Sequence, residues 1–450
     1  SGNIKGIIGG IFRWASKSER NFKRAVQVLM IYSYWTFSQI TPKQLEKFVS
    51  GVTATPKDLS SIAVPLRDFV MRSPFSKRKG RLPLPEPLIQ YQGSPSKRAP
   101  KMWSTTGKQT SPVLFDLQVF NTVQGLTLYK EYPRIFDAVT KGLKVKNYLR
   151  ESARAAHPRS SCDMTRLDCG RIGFIQEPGG KLRSVANPFR IYQQVLGPLG
   201  DSLYRTLRRC PWDFTFRQDA SFEPIQGLLR EGKTLYSVDL SSATDHFPME
   251  LQEAVLQALI PIKSWEYIRL WKQLSRGMWK QPDGNWIRWT KGQPLGMYPS
   301  FAAFGLTHGF LLLYLLYSTR DTFPSKFKWN KEFFVLGDDV VISDKRLYNA
   351  YISLLERMGC PYSTDKSITS NKVAEFAGRI VTPNGVYPQM KWRHISDDNF
   401  LDICKMLGPK TKLLLRPRQR QIYNAVLHLY PPYGLNQSLP GDNLEKMVAR

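Results

Sequence analysis

Two adjacent acids stand inside an otherwise apolar run, Val335-Leu336-Gly337-Asp338-Asp339-Val340-Val341. At a hairpin tip their carboxylates would repel by on the order of 4 kcal/mol, at about 4 Å and an effective dielectric near 20. A divalent cation relieves that repulsion. Hard oxygen ligands suit Mg²⁺, usually held by one or two carboxylates plus substrate phosphates. The plain alternative is an ordinary Gly-Asp-Asp surface turn. A second acidic element favours the metal, because Tyr236-Ser-Val-Asp239-Leu-Ser-Ser-Ala-Thr-Asp245 carries one carboxylate after an apolar run and another six residues on. Asp239 at a strand end would meet Asp338 across a shared sheet, and two ions about 3.5–4 Å apart would clamp an in-line phosphoryl transfer. Ser241, Ser242 and Thr244 also suit helix capping, and Asp245 can be read as a capping acid.

A phosphoryl transfer needs cations as well. In Arg171-Ile-Gly-Phe-Ile-Gln-Glu177-Pro-Gly-Gly-Lys181-Leu-Arg183, Lys181 and Arg183 are two residues apart on an extended segment, so they face the same side. Such a pair neutralises a triphosphate and its leaving pyrophosphate. Arg171 and Arg190 are candidate helpers, and a solvated edge strand is the alternative. Across its 450 residues the chain holds 65 Lys+Arg against 36 Asp+Glu, a net charge of +29. That excess points to a polyanionic partner, nucleic acid before a membrane surface. Residues 1–110 alone hold 19 Lys+Arg and 5 Asp+Glu, or 19 − 5 = +14. Pro409–Gln421 adds five cations without an acid. Five cysteines, an odd number without a CxxC pair, suggest neither a disulfide framework nor a zinc site, and the five histidines show no ligand spacing.

The elements that must position these groups are short. Thr234–Val238 reads as a strand ending at Asp239, and Pro248–Leu259 as a helix with Pro in its first turn. Trp279–Trp289 reads as a hairpin around Pro282-Asp283-Gly284-Asn285. Phe333–Leu336 and Val340–Ser343 are two strands about the Gly-Asp-Asp turn, and Lys345–Met358 has helical spacing. This order is α+β rather than a βαβ repeat. Phe22–Phe37 is read as a helix, Ser73–Arg81 as an exposed basic loop and Leu82–Pro100, with five prolines, as an extended linker. The apolar run Phe301–Tyr317 falls short of a membrane span and reads as a buried helix, so no stable membrane insertion is expected. Opening on Ser-Gly, the chain reads as a fragment or processed form.

Three of these elements together resemble the palm motifs A, B and C of viral RNA-dependent RNA polymerases. They are Asp239-x5-Asp245, Gly292-Gln-Pro-Leu-Gly296-Met-Tyr-Pro-Ser300 and Gly337-Asp338-Asp339, in that order. The wording DLSSATD, GQPLGMYPSF and LGDDVVI is most similar to the mitoviruses, of the narnavirus and ourmia-like group, over about Arg171 to Arg379. Arg171–Val185 resembles motif F, Pro361-Tyr-Ser363-Thr-Asp-Lys366-Ser367 motif D, and Ala374-Glu375-Phe-Ala-Gly378-Arg379 motif E.

The resemblance implies a right-hand polymerase with an RNA-recognition-like antiparallel palm sheet. Residues 1–184 would form the N-terminal region and fingers, 185–250 and 290–380 the palm, 251–289 a fingers insertion and 381–450 the thumb. It implies that Asp239 and Asp338 bind two Mg²⁺ ions (or Mn²⁺), with Asp339 a weaker ligand or electrostatic neighbour. Lys366 would be the general acid, with Lys372 the alternative. Arg171, Lys181 and Arg183 would hold the nucleotide's phosphates, and Asp245, Gly296 and Ser300 its sugar. Asp245 favours ribonucleotides, since the 2′-hydroxyl is the handle that separates RNA from DNA. Phe304 stands where the wider pattern has Asn. The implied partners are NTPs with template and product RNA, and the implied location is the host mitochondrion, with the cytoplasm as alternative. An inactive RNA-binding relic and a reverse transcriptase are the rival readings of function.

Overall fold

The computed structural model describes residues 4–77, 79–88, 102–103, 109–110, 113–143, 145–155, 162–320, 327–389, 392, 395–407, 409–429 and 434–435. They divide into two units. One comprises Ser1–Gln39, Gln176–Lys181 and Pro388–Arg450, and the other Ile40–Ile175 with Leu182–Tyr387.

The elements around the acids follow one another in this order. β1 (Asp168–Glu177) and β2 (Lys181–Pro188) lead to helix α1 (Gly197–Arg209) and strand β3 (Leu235–Leu240). Next come α2 (Ala243–His246), α3 (Met249–Leu259), α4 (Trp265–Arg276), the hairpin β4 (Met278–Lys280) and β5 (Trp286–Ile287), and α5 (Ser300–Thr319). β6 (Phe333–Leu336), β7 (Asp339–Ile342), α6 (Lys345–Met358), β8 (Tyr362–Ser370), β9 (Ala374–Phe376), β10 (Arg379–Thr382) and β11 (Gly385–Pro388) complete the set.

The central sheet has the order β8-β3-β7-β6, and every neighbouring pair is antiparallel. The inner part of the sheet, β3, β7 and β6, reads as apolar runs rather than alternating ones because both faces are covered, whereas the edge strand β8 is polar and partly exposed. Tyr236, Val238, Val340 and Ile342 face the large helical core, while Leu235, Phe334 and Val341 join a second core with Phe376 of β9 and Val381 of β10. A second sheet, β2-β1-β4-β5, carries the basic hairpin.

α5 is the apolar run of the sequence. It is long and apolar enough to cross a membrane but mostly buried inside protein, packed on α1, α3 and α6. Its glycines admit neighbours: a Cβ at Gly309 would lie 2.3 Å from Trp212 Nε1. The strand, helix and hairpin expectations for 234–358 hold to within a residue or two. Phe22–Phe37 does not form one helix; Glu19–Leu29 is helical and Met30–Tyr34 tightens into a 3₁₀ turn. The Ser73–Arg81 loop is not wholly exposed, since Phe75 is buried against Trp212 and Phe310. Residues 89–100 of the expected linker lie outside the described residues.

In the unit containing the N-terminal helices, Gly179 and Gly180 (φ +83° and +69°) form the tip between β1 and β2, and both N–H groups donate to Trp35 O at 2.9 and 3.2 Å. The same unit holds a small core of Phe400, Cys404, Leu415 and Tyr423.

Gly309→Ala should lower unfolding stability by about 1–3 kcal/mol through overpacking against Trp212, despite the roughly 1 kcal/mol that Ala gains in helix propensity. Chemical denaturation reads this; an unchanged or raised midpoint would show that Trp212 yields.

Candidate active site

Asp239 and Asp339 are cross-strand partners on β3 and β7. Ser363 lies opposite Asp239 on β8 and Leu336 opposite Asp339 on β6. Opposed positions of an antiparallel ladder share a face, with Cβ atoms about 4.5–5.5 Å apart. Asp338 sits beside them in the β6–β7 turn, which Gly337 makes with φ +59°; a side chain there would also meet the Phe301 ring at 3.0 Å.

A fourth carboxylate comes from further along the chain. β9 packs beside β3 and β7, and Glu375 N–H donates to Ser237 Oγ at 3.0 Å. Burial, followed by the charges of Asp338, Glu375 and Asp239, pushes Asp339 up to about 7; a hydrogen bond from the Ala377 backbone opposes the rise. Ala377 and Gly378 are left-handed (φ +52° and +67°), so a tight β9–β10 turn aims that N–H at Asp339. Ala in this conformation is strained by about 1 kcal/mol or more, consistent with a turn fixed by its surroundings.

A cation reaches these acids from β8. The β8 register shifts between Ser363 and Ile368, and from this irregularity Lys366 Nζ lies 3.8 Å from Asp239 Oδ2. Ser367 Oγ accepts from Asp239 N–H at 3.2 Å and donates to Ser363 O at 2.6 Å, which pins the bulge to β3. Lys372 lies just past β8 and, among the described residues, makes no ion pair.

Behind the turn, His308 of α5 is fully buried, and burial drives its imidazole down to about 4. Its Nδ1 is 2.8 Å from Gly337 O and its Nε2 2.8 Å from the Tyr351 hydroxyl on α6. A carbonyl only accepts, so Nδ1 carries the proton and Nε2 accepts from Tyr351. One neutral ring thus ties the acidic turn to two helices. No spacing along the chain marks this residue; its only signal is a lone imidazole in an apolar helix.

The glycine-rich segment sits where backbones cross. A Cβ on Gly292 would lie 2.1 Å from Thr244 O, and one on Gly296 (φ +129°) 2.0 Å from Ala186 O. Gln293 N–H donates to Thr244 O at 2.9 Å, which docks this segment on the Asp245 turn. Asp245 accepts from Trp289 Nε1 at 2.8 Å, and burial raises it to about 6 despite that bond. Ser300 is 1% exposed, with its hydroxyl accepting from Trp271 Nε1 at 3.4 Å, so the structure seats it in the core.

Of the basic candidates, Lys181 and Arg183 are both exposed and alternate along β2. Lys181 belongs to the unit of the N-terminal helices and Arg183 to the other. Arg171 is engaged locally: its Nη1 donates to Asp168 Oδ1 at 2.8 Å and Gly170 O at 2.9 Å, and its guanidinium lies over Phe189 and Trp286. Arg190 is buried.

The structure therefore brings Asp239, Asp338, Asp339 and Lys366 together, adds Glu375, and holds Arg171 and Ser300 in other contacts. The donors at the acids are carboxylate oxygens, the chemistry a hard divalent cation takes. Among the described residues no three acidic, thiol or imidazole side chains are gathered closely enough to enclose a metal by themselves. An ion here would share its coordination with phosphate oxygens or water.

A family model described as mitovirus RNA-dependent RNA polymerase matches residues 89–407. An RNA-directed RNA polymerase of Cryphonectria parasitica mitovirus 1 is 30% identical over 215 residues, 47% of this chain and 25% of that protein. The chain thus aligns with a quarter of that relative's length. An uncharacterized mitochondrial protein of Arabidopsis thaliana is 33% identical over 178 residues, 38% of this chain and 68% of that protein. Among solved structures, the RNA-dependent RNA polymerase of a human picorbirnavirus, with an insertion loop deleted, aligns at TM-score 0.49 and 13% identity, over 91% of this chain and 83% of that one.

Two measurements check the electrostatics and the strap. Asp339 has a folded pKa above its unfolded value, so its ionisation weakens the fold as pH rises from about 4 through 7. Asp339→Asn should therefore raise the melting temperature at pH 8 and do so less at pH 5; a pH-independent difference would refute the charge crowding. Tyr351→Phe leaves His308 Nε2 buried without a donor and should cost about 1–3 kcal/mol in denaturant unfolding.

Proposed function

This chain belongs to the mitovirus RNA-dependent RNA polymerase family, and from that premise we propose that it extends an RNA strand on an RNA template, joining NTPs and releasing pyrophosphate. The observation that carries the reading is the pairing of Asp239 with Asp339 across β3 and β7, beside Asp338 in the turn. In the proposed reaction Asp239 and Asp338 hold two Mg²⁺ ions, with Asp339 as a neighbour that tunes their charge. The ions, when bound, supply Lewis acidity to the attacking 3′-oxygen and the departing pyrophosphate.

The chain's own groups do the rest. Lys366, next to Asp239, donates a proton to the pyrophosphate oxygen as it leaves, which favours it over Lys372. Lys181 and Arg183, with Arg171 as a helper, take the charge of the triphosphate. Asp245, held by Trp289, and Gly296 form the sugar side, where the 2′-hydroxyl is recognised; Ser300 supports that loop from the core. Residues 1–184 and 251–289 are assigned to the fingers, 185–250 and 290–380 to the palm and 381–450 to the thumb. The work proposed is replication of a viral RNA genome. Residence in the host mitochondrion is supported by the family and by the similarity to plant mitochondrial proteins.

Incorporation of labelled nucleotide on a primed RNA template tests this directly. Asp338→Ala should reduce turnover by at least about 10³-fold, and Lys366→Gln by about 10²–10⁴-fold. Equal activity in wild type and Asp338→Ala would defeat the mechanism, and a preference for dNTPs would make the enzyme a reverse transcriptase.

A further inference from the structure

Arg276, the last residue of α4, carries a charge that the steps above do not use. Burial, with the charge of Arg288, lowers its guanidinium to about 10, so it stays ionised at neutral pH. Glu253, the acid that opposes this shift, pairs with Lys272 instead. Among the described residues no carboxylate lies within ion-pair distance of Arg276, and its donors go to backbone just past β5. Nη1 donates to Trp289 O at 2.8 Å and Nη2 to Lys291 O at 3.1 Å. A charge withdrawn from water needs such partners, and a planar fork can span two carbonyls.

The residues it holds are tied elsewhere as well. Lys291 is 3% exposed, and its Nζ donates to Gly359 O at the end of α6, 2.6 Å away. Thr290 N–H donates to Val52 O at 3.1 Å and Thr290 Oγ1 to Ala54 O at 2.6 Å, past the end of the Pro42–Val52 helix. Three consecutive residues are thus fastened to three parts of the chain, and what they carry is the Trp289 ring. It is 1% exposed and edge-on to Trp279 and Phe48, with centroids 6.1 and 6.3 Å apart.

That ring aims at one oxygen. Trp289 Nε1–H donates to Asp245 Oδ1 at 2.8 Å, and an indole only donates, so Oδ1 is committed as an acceptor. The terminal torsion of a carboxylate is otherwise broad and roughly two-fold. Holding Oδ1 therefore fixes Oδ2, to which no hydrogen bond is made among the described residues. Burial raises the Asp245 carboxyl to about 6 and the indole bond opposes the rise, which favours an acceptor at neutral pH. Phe304, where the wider pattern has Asn, packs on Phe247 at 4.9 Å and brings no donor.

We infer that Arg276 and Trp289 are positioning residues for sugar selection: the guanidinium holds the backbone, the backbone holds the indole, and the indole turns Asp245 so that Oδ2 takes the 2′-hydroxyl of the incoming ribonucleotide. This rests on the polymerase reading and on Asp245 meeting the sugar. Neither residue touches the substrate. A deoxyribonucleotide has no hydroxyl to offer Oδ2, so a loosened carboxylate penalises the ribonucleotide alone.

The test measures kcat/KM of the full chain for an NTP and for the matching dNTP on one primed RNA template and takes their ratio. Partial unfolding lowers both values together and leaves the ratio unchanged. Trp289→Phe, which keeps an aromatic ring and loses the donor, should lower the ratio about tenfold through a raised KM for the NTP, with the dNTP values unchanged. Arg276→Lys, which keeps the charge and loses the fork, should lower it in the same direction by less. Trp289→Phe added to Asp245→Ala should change the ratio no further. An unchanged ratio in Trp289→Phe, or in Arg276→Lys should the first variant not fold, overturns the inference. So do parallel losses for NTP and dNTP, which mark a purely structural role, and an undiminished ratio in Asp245→Ala, which removes that carboxylate from the sugar side. Wild type that incorporates neither substrate is a separate result: it refutes the polymerase reading itself and takes the inference with it.

Discussion

The charges of Asp338, Glu375 and Asp239 crowd the buried Asp339 where β3, β7 and β9 come together, and that crowding is the constraint to which the surrounding structure answers. In water such charges would drift apart. Here they are fixed by backbone pairing: a ladder that seats Val238 opposite Val340 and Ser237 opposite Val341 has no freedom to move Asp239 away from Asp339. The sheet is held in turn by two cores, one on each face, so the repulsion is opposed by apolar burial spread over many residues. Burial, reinforced by that crowding, pushes Asp339 up to about 7. Binding sites commonly carry unfavourable charge that a ligand relieves, at a cost in the stability of the free protein.

The relief available from the protein itself is small and local. Lys366 is largely exposed, and an exposed ion pair contributes little after solvent screening. The Ala377 N–H is a dipole rather than a charge. What the protein supplies more strongly is rigidity. His308 ties the Gly337 carbonyl to Tyr351, and a turn bearing two acids is thereby fastened to α5 and α6 without introducing a further charge. An ionised imidazole would neutralise the acids and compete with a bound cation. Full burial removes that option by keeping the ring neutral.

The β3–β7 region is legible in the sequence because its signals are local. Apolar runs end in acids, turns carry Gly, and helical spacing returns at Lys345–Met358, so elements and motif order emerge together. Register is not local, and pairing of Asp239 with Asp339 rather than Asp338 depends on where β7 begins after the turn. Glu375 is visible as part of a motif, but its role depends on β9 reaching across to β3, which spacing along the chain does not report. Ser300 and Arg171 are legible only by side-chain type. A hydroxyl and a guanidinium of suitable type read as ligand groups, while tertiary packing gives them to Trp271 and to Asp168. The helix expected over Phe22–Phe37 stops at Leu29, and Met30–Tyr34 tightens into a 3₁₀ turn although the apolar spacing continues.

The net charge of +29 and the acidic centre have opposite signs, and distance decides how each acts. Charges farther apart than the roughly 8–10 Å screening length in physiological salt contribute mainly to a diffuse attraction for polyanions. In the proposed function that field is what would draw RNA to the surface. Within contact distance the local carboxylates dominate, and a phosphate approaching Asp239, Asp338 and Asp339 meets repulsion that the remote lysines and arginines do not cancel. In the proposed reaction a divalent cation would thus serve twice: in the chemistry of the transfer, and before that in the approach of the triphosphate. The excess of bases favours a polyanionic partner. The few acids, gathered by strand register, oppose an anion at the proposed reacting position unless a cation lies between.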